Sequence, residues 1–387
     1  MNAALENVFW KLRGRDAIVF ATLSKSIAVT AGFTTIKTTL HASDDTISFG
    51  RWMCRHGSRV RHLDITDHSS LSQCVCHLCA QCSHLESVRL ALKAFDMNAF
   101  HFVRPSLRSL DLVLNHCIDS SLDLCMLSFP SLSQCRITST TPKKIIFPPA
   151  LHALDILIAQ GVRLNALPST PSLKTLSLQA SQYPESVVEH IGTLTTLTSL
   201  NLSGCRLTHA PQELATLRAL ESLDLSHNVI MNYDDDGMFV DDSLTAISSL
   251  PRLKSLNLSH NYLDDVGVEN ALPVIQCPAL KHLDISCNPC VDLPAGSYLR
   301  GLTSLRSSFV PSTLGHAKML RELYIHGHCS KHEAFDLPMP ELHHITPPKW
   351  LSTIFLDDTH ITSKVMHDIL YLVKQRPEIG TQTTDFA

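Results

Sequence analysis

The sequence predicts an α/β solenoid, in which short parallel strands stack into one curved sheet with helices and 3₁₀ turns outside it. Three observations carry that expectation. A pattern of apolar residues returns along most of the 387 residues, at spacings mostly within the roughly 20–29 residues of a stacked supersecondary unit. Hydrophobic residues make up 44% and charged residues 18%, so there is apolar surface to bury and the chain is no disordered polyelectrolyte. Glycine is scarce, 14 in all, which argues against a fold organised around glycine-rich phosphate loops.

The clearest copies read Leu220-Glu-Ser-Leu223-Asp-Leu225-Ser-His-Asn228, Leu253-Lys-Ser-Leu256-Asn-Leu258-Ser-His-Asn261 and Leu280-Lys-His-Leu283-Asp-Ile285-Ser-Cys-Asn288. A fourth runs from Leu197 with Cys205 at the Asn place. This L-x-x-L-x-L-x-x-N/C-x-L pattern resembles the leucine-rich-repeat family. Weaker copies begin at Val60, Leu85, Leu107, Leu132, Leu151 and Leu173 upstream, and at Leu305, Leu320 and Leu351 downstream. The resemblance covers residues 59–376.

The pattern has a physical reading. Apolar side chains at the first, fourth and sixth places point inward, and no single repeat can bury them alone, so repeats stack. Asn at the ninth place both donates and accepts, and can satisfy turn backbone that would otherwise be buried unpaired. Asn115, Asn228, Asn261 and Asn288 take this place. The repeats at Leu132, Leu151 and Leu173 lack it, so a looser ladder is expected there. The fifth place faces the open, concave side. It holds Asp155, Asp224, Asn257 and Asp284, and then three large rings, Phe309, Tyr324 and Phe355. Asp and Asn are habitual here, whereas exposed rings have no core to explain them. Asp224, Asn257, Asp284, Phe309, Tyr324 and Phe355 are therefore the candidate partner-binding residues, with the alternative open for Phe309 that it turns inward, because Ser308 stands at the fourth place of the repeat at Leu305.

Helical apolar spacing marks Glu185–Leu194, Asp242–Leu250, Asp264–Gln276 and Ser363–Gln375 as outer helices, the last an end cap. Proline-marked connections such as 147–149 and 167–171 read as extended or 3₁₀ pieces. Residues 41–58 read as a linker and 377–387 as a tail.

Residues 1–40 show no repeat and read as a small helical segment. Leu5, Val8, Phe9 and Leu12 share one helical face, Asp16 follows a break, and an apolar helix ends at Leu23-Ser-Lys25. This order is similar to the later part of an F-box. Gln276-Cys277-Pro278-Ala279-Leu280 and Gln81-Cys82-Ser83-His84-Leu85 both place Cys three residues before the first Leu. They resemble the cysteine-containing, ribonuclease-inhibitor-like repeats common in F-box proteins. The resemblance implies that Leu12, Ile18, Leu23 and Lys25 contact a Skp-type adaptor, and through it a cullin, while the concave face holds a protein substrate. The same segment equally fits an amphipathic cap over the first repeat.

Chemistry-bearing motifs are few. Cys74-Val-Cys76-His77-Leu-Cys79 and Cys82 to His84 have the elements of a zinc cluster, yet lie on one probable helix and not in two separated pairs, so core thiols are the better reading. Asn232-Tyr-Asp234-Asp-Asp236-Gly237 opens like a calcium loop, but Ser243 stands where the closing Glu belongs. Asp234, Asp235, Asp236, Asp241 and Asp242 read instead as an acidic insertion. No nucleophile, base and oxyanion site assemble, so no catalysis, cofactor or metal is expected. The net charge of −4 gives no general reason to bind nucleic acid or membrane. Thirteen cysteines, an odd count at irregular spacing, fit single thiols in the cytoplasm or nucleus. Three functional readings stay open: an F-box-type substrate receptor, a scaffold or inhibitor outside any ligase, and a secreted or anchored receptor ectodomain. Sequons in form at Asn201 and Asn257 favour the last, but both fall in packed strands.

Overall fold

The structure is a computed structural model, and it describes residues 35–40, 57–67, 82–91, 106–114, 121–124, 130–183, 185–231, 244–263, 277–290, 292–326, 347–357, 361 and 363–383. The chain divides into two compact bodies, Met1–Val187 and Val188–Ala387. Each is a stack of parallel strands in leucine-rich-repeat register.

The N-terminal body carries β1 (Thr35–Leu40), β2 (His62–Asp67), β3 (Ser87–Ala91), β4 (Ser109–Val113), β5 (Ser121–Asp123), β6 (Gln134–Ile146), β7 (Ile156–Leu164) and β8 (Thr175–Ser177). They pair in parallel in the order β1-β2-β3-β4-β6-β7-β8, with β5 also on β6. Leu63, Val88, Leu110, Cys135, Leu157 and Leu176 form one inward row, each at most 2% exposed. Each fully buried aliphatic side chain in such a row contributes about 1.5–3 kcal/mol.

Three sequence expectations need correction here. First, β1 pairs Ile36 with Leu63 and Thr38 with Ile65, so repeat register begins inside the segment read as 1–40, ahead of residue 59. Second, the repeat placed at Leu151 starts at Leu154. Cys135 pairs with Leu157 and Arg136 with Ile158, so Asp155 leaves the fifth place to Ile158. Third, the region expected to have a loose ladder has long strands: β6 and β7 pair from Gln134 to Ile145, with a register shift between Thr138 and Lys143. At the far side of that irregularity Gly161 has φ +64°, and a Cβ there would lie 2.0 Å from the Ser139 carbonyl oxygen, so only glycine fits. Ser181 takes the missing Asn's place. Its Oγ donates to the Ala159 carbonyl at 2.7 Å and accepts from the Val162 N–H at 3.3 Å.

The C-terminal body carries α1 (Glu185–Thr193, which straddles the division), β9 (Ser199–Asn201), β10 (Ser222–Asp224), α2 (Thr245–Ser248), β11 (Ser255–Asn257), β12 (His282–Asp284), β13 (Ser304–Ser307), β14 (Glu322–Ile325), β15 (Thr353–Leu356), α3 (Ser363–Gln375) and β16 (Gly380–Thr383). Consecutive strands from β9 to β16 pair in parallel. The inward row runs Leu200, Leu223, Leu256, Leu283, Leu305, Leu323, Ile354. α3 buries Val365, Ile369 and Leu372 at helical spacing. It is not the end of the fold: β16, within the segment read as a tail, continues the sheet beyond β15. The expected helix over Asp242–Leu250 shrinks to the single turn of α2, and that over Asp264–Gln276 lies outside the described residues.

Asn228, Asn261 and Asn288 are buried and make the same bonds in successive repeats. Each Nδ2 donates to a carbonyl of its own turn and to one in the preceding repeat: Leu225 and Leu202 for Asn228, Leu258 and Leu225 for Asn261, Ile285 and Leu258 for Asn288. Each Oδ1 accepts a backbone N–H one repeat upstream, from Leu207, Ile230 and Leu263. Asn115 lies outside the described residues. The eighth place, just before the Asn or the Ser181 and Cys205 that stand for it, is left-handed in five repeats, with φ of 53–68° at Ala180, Gly204, His227, His260 and Cys287.

Cys82 and Cys277 are buried, and the Cys277 Sγ lies 3.4 Å from the Ile247 carbonyl. Burial pushes the Cys277 thiol up to about 11 and the Cys135 thiol up to about 12, so neither is a nucleophile near neutral pH. Cys287 departs from the single-thiol expectation: it is disulfide-bonded. Among the described residues no helix is long and apolar enough to cross a membrane.

Candidate partner-binding surface

Parallel pairing brings the fifth places of the C-terminal body into one row on the open face of its sheet. The row reads Asn201, Asp224, Asn257, Asp284, Arg306, Tyr324, Phe355, Gln382. Asp224, Asn257, Asp284, Tyr324 and Phe355 stand where the sequence places them. Phe309 does not. Its repeat starts at Leu302, three residues before Leu305, so Arg306 takes the fifth place and Phe309 the eighth. Phe309 is 2% exposed and packs in the core. The motif Leu302-Thr-Ser-Leu305 was available to find this register; Ser307 at the sixth place, where an aliphatic residue belongs, obscured it.

The short polar members of the row serve the backbone first. Asp224 Oδ1 accepts from the Ser226 N–H and hydroxyl at 2.9 and 2.6 Å. Asn257 Oδ1 does the same with Ser259 at 3.0 and 2.8 Å, and Asp284 Oδ1 with Ser286 at 3.0 and 2.7 Å. These are side-chain turns that hold the strand exit, the structural reason for Asp and Asn at this place. Burial raises the Asp284 carboxyl above its usual range, opposed by the Ser286 bonds and by the charges of Arg306 and His326.

The rings are different. Tyr324 and Phe355 stack with centroids 4.3 Å apart and planes 9° from parallel, both partly exposed. The Arg306 guanidinium lies 4.7 Å from the Tyr324 centroid, a cation–π distance. The Tyr324 hydroxyl donates to Glu322 at 3.3 Å, and burial followed by the Glu322 charge raises its pKa. Beside the row, His227 and His260 stack at 4.0 Å, and His326 Nε2 meets Asp357 Oδ2 at 3.1 Å. Together Asn257, Asp284, Arg306, Tyr324, His260 and His326 line much of a shallow depression of about 240 Å³. Sequence reasoning missed Arg306 and the histidine pair; the histidines share the eighth place of adjacent repeats, which was the available signal.

Among the described residues no group of His, Cys, Asp and Glu could hold a metal ion. The cluster from Cys74 to Cys79, the acidic insertion at 232–243, and Leu12, Ile18, Leu23 and Lys25 all lie outside the described residues.

Comparison with known proteins finds the same kind of repeat. Leucine-rich-repeat family profiles match residues 196–217 and 250–270. Part of the chain is 31% identical over 146 residues to the alpha subunit of geranylgeranyl transferase type-2 of Homo sapiens, covering 38% of this chain and 24% of the relative. The Bos taurus subunit is 36% identical over the same length, with the same coverage. Tsukushi of Xenopus tropicalis is 29% identical over 195 residues, 39% of this chain and 55% of the relative. The chain thus spans about a quarter of the transferase subunits it matches. A solved leucine-rich-repeat protein of Leptospira interrogans superposes with a TM-score of 0.52 at 18% identity, over 90% of this chain and 89% of that one. The profile matches, the recurring Asn bonds and the shared fold make this a chain of leucine-rich repeats.

Proposed function

We propose that the chain is a protein-recognition module whose C-terminal sheet face docks a partner protein on Tyr324 and Phe355. Leucine-rich repeats serve protein–protein recognition, and one observation supports this surface. In a row where Asn201, Asp224, Asn257 and Asp284 bond to their own turns, two partly exposed rings stack with a guanidinium over one of them. Rigid aromatic area beside Arg is the composition of an interaction hot spot. A photo-crosslinking phenylalanine analogue at position 355 tests it. A crosslinked partner whose capture falls with Tyr324→Ala supports the reading. If Tyr324→Ala beside the analogue lowers stability and leaves capture unchanged, the rings are packing and the site is elsewhere.

We further infer that the N-terminal segment is F-box-like and joins a Skp-type adaptor and a cullin through Leu12, Ile18, Leu23 and Lys25. The sequence resemblance supports this, as do Cys82 and Cys277, buried three residues before the first Leu of their repeats. Because β1 belongs to the sheet, the test deletes residues 1–30 and leaves 35–40 intact. The full chain should retain a purified Skp-type adaptor and the truncated chain should not. If the full chain fails to retain it, the ligase reading falls and a free-standing scaffold takes its place.

A further inference from the structure

A second surface of the C-terminal body follows from the turns that feed its strands. Each turn ends on the first leucine of a repeat, whose N–H donates to the carbonyl three residues back: Leu220 to Leu217, Leu253 to Leu250, Leu302 to Leu299, Leu320 to Ala317, Leu351 to Pro348. The two middle residues of every such turn stand at the same lip of the sheet. Across successive repeats these pairs read Arg218-Ala219, Pro251-Arg252, Pro278-Ala279, Arg300-Gly301, Lys318-Met319 and Lys349-Trp350. Every ionised residue among them is basic. The place after the leucine adds Lys254, Lys281 and Arg321 to the same lip, with Glu221 the acidic exception, paired to Lys254 at 2.8 Å.

Arg300, Lys318, Arg321 and Lys349 are exposed and form no ion pair among the described residues. In a chain with net charge −4, this is a local segregation of positive charge. Beside these cations stand two of the most exposed large apolar side chains, Met319 at 43% and Trp350 at 56%. They hold the same turn position in neighbouring repeats, because β14 and β15 pair directly. Lys349 Nζ lies 5.4 Å from the Trp350 centroid.

We propose that this rim docks an extended acidic segment of a partner protein, with Lys318 and Lys349 taking carboxylates and Met319 and Trp350 taking an apolar side chain. The rim is narrow, the two turn residues and the place after the leucine, and steps by one strand spacing of ~4.8 Å. That shape fits a single extended chain laid across the repeats. A bilayer would need a broad face with several inserting side chains, and among the described residues of the rim Met319 and Trp350 are the two large exposed apolar ones. Charge complementarity selects an acidic chain and speeds its encounter. The surface is separate from the sheet-face rings, so the two proposals fail separately: Tyr324→Ala with Phe355→Ala addresses the face, and Lys318→Glu with Lys349→Glu addresses the rim.

The test uses the full chain and a fluorescein-labelled peptide of Glu and Asp with two central leucines, read by anisotropy. Binding should appear and should weaken as salt rises. Lys318→Glu with Lys349→Glu should weaken it by about 30-fold or more, and Trp350→Ala by about 10-fold. Lys144→Glu, an exposed basic residue of the N-terminal body, should leave it unchanged. Circular dichroism of each variant should match the parent. Absence of binding overturns the proposal, and so does binding indifferent to the Lys318 and Lys349 reversals. Equal binding of a leucine-free acidic peptide would show unspecific polyanion attraction. Tighter binding to phosphatidylserine vesicles or to a single-stranded oligonucleotide, lost in the same variants, would assign the rim to that ligand instead.

Discussion

The amide of Asn261 donates to the carbonyl of Leu225 at 3.0 Å, across the boundary between two repeats. The same amide donates to Leu258 at 3.0 Å, and its oxygen accepts from Ile230 at 3.1 Å. One side chain thus closes its own turn and holds the previous one. Asn261 is fully buried, so truncation takes the side-chain acceptor from the Ile230 N–H and one of two amide donors from each of the Leu225 and Leu258 carbonyls, which keep those of Asn228 and Asn288. Asn261→Ala is expected to cost ~2–4 kcal/mol in urea denaturation. A change under about half a kcal/mol would show that the turns satisfy themselves without it.

Phe309 gives a second prediction, because its burial separates it from the rings it resembles in sequence. Phe309→Ala should cost ~3–5 kcal/mol, since it empties a filled core position. Partner capture by the remaining folded protein should not change. Loss of capture at unchanged melting temperature would return Phe309 to the docking face.

The pH dependence of Asp284 has a definite sign. Burial raises its folded-state pKa above the ordinary 3.8. Between the two values the folded chain holds a proton that the unfolded chain has released. The stabilisation is therefore full below the ordinary value and is lost as pH rises through the raised one. Asn257 occupies the same place in the preceding repeat and accepts the same pair of serine bonds, so an amide fits. Asp284→Asn should melt higher than the parent at neutral pH, with the gap narrowing towards about pH 4. A gap that widens on acidification would mean that the carboxylate is favoured by its neighbours and not penalised by burial.

Leu256 tests the inward row. It is 1% exposed and is aligned between Leu223 and Leu283. Leu256→Ala should cost ~2–5 kcal/mol, read from denaturant midpoints. An unchanged midpoint would place this leucine outside the core.

Much of this fold was legible because the inward leucines and the buried asparagines repeat a demand that each repeat faces afresh. Leu223, Leu256 and Leu283 are in register because the sixth-place residues Leu225, Leu258 and Ile285 fix which side faces in. Legibility failed where that second anchor was missing or ambiguous. Ser307 at the sixth place hid the start at Leu302, which moved Phe309 outward and concealed Arg306. Leu151 and Leu154 both begin an apolar triplet, and only pairing to Cys135 and Arg136 chooses between them. Ser181 showed that a hydroxyl can do part of the work of the Asn amide, which residue type alone does not reveal. The candidate face was half legible: Tyr324 and Phe355 stood out by size, whereas Arg306 emerged only from strand pairing.

The left-handed eighth place carries a consequence for how this chain tolerates change in length. Ala180, Gly204, His227, His260 and Cys287 trace nearly the same backbone bend with five different surroundings, so the path from first leucine to ninth residue is fixed whatever the side chain. Leu302 and Leu320 are eighteen residues apart and Leu220 and Leu253 thirty-three, yet the strands they begin align with their neighbours without slip. All of the difference is absorbed between the ninth place of one repeat and the first leucine of the next. Those connections are where an epitope tag or a small inserted domain can be spliced in, while a single residue added between the first leucine and the ninth place would throw that repeat's own inward side chains out of register.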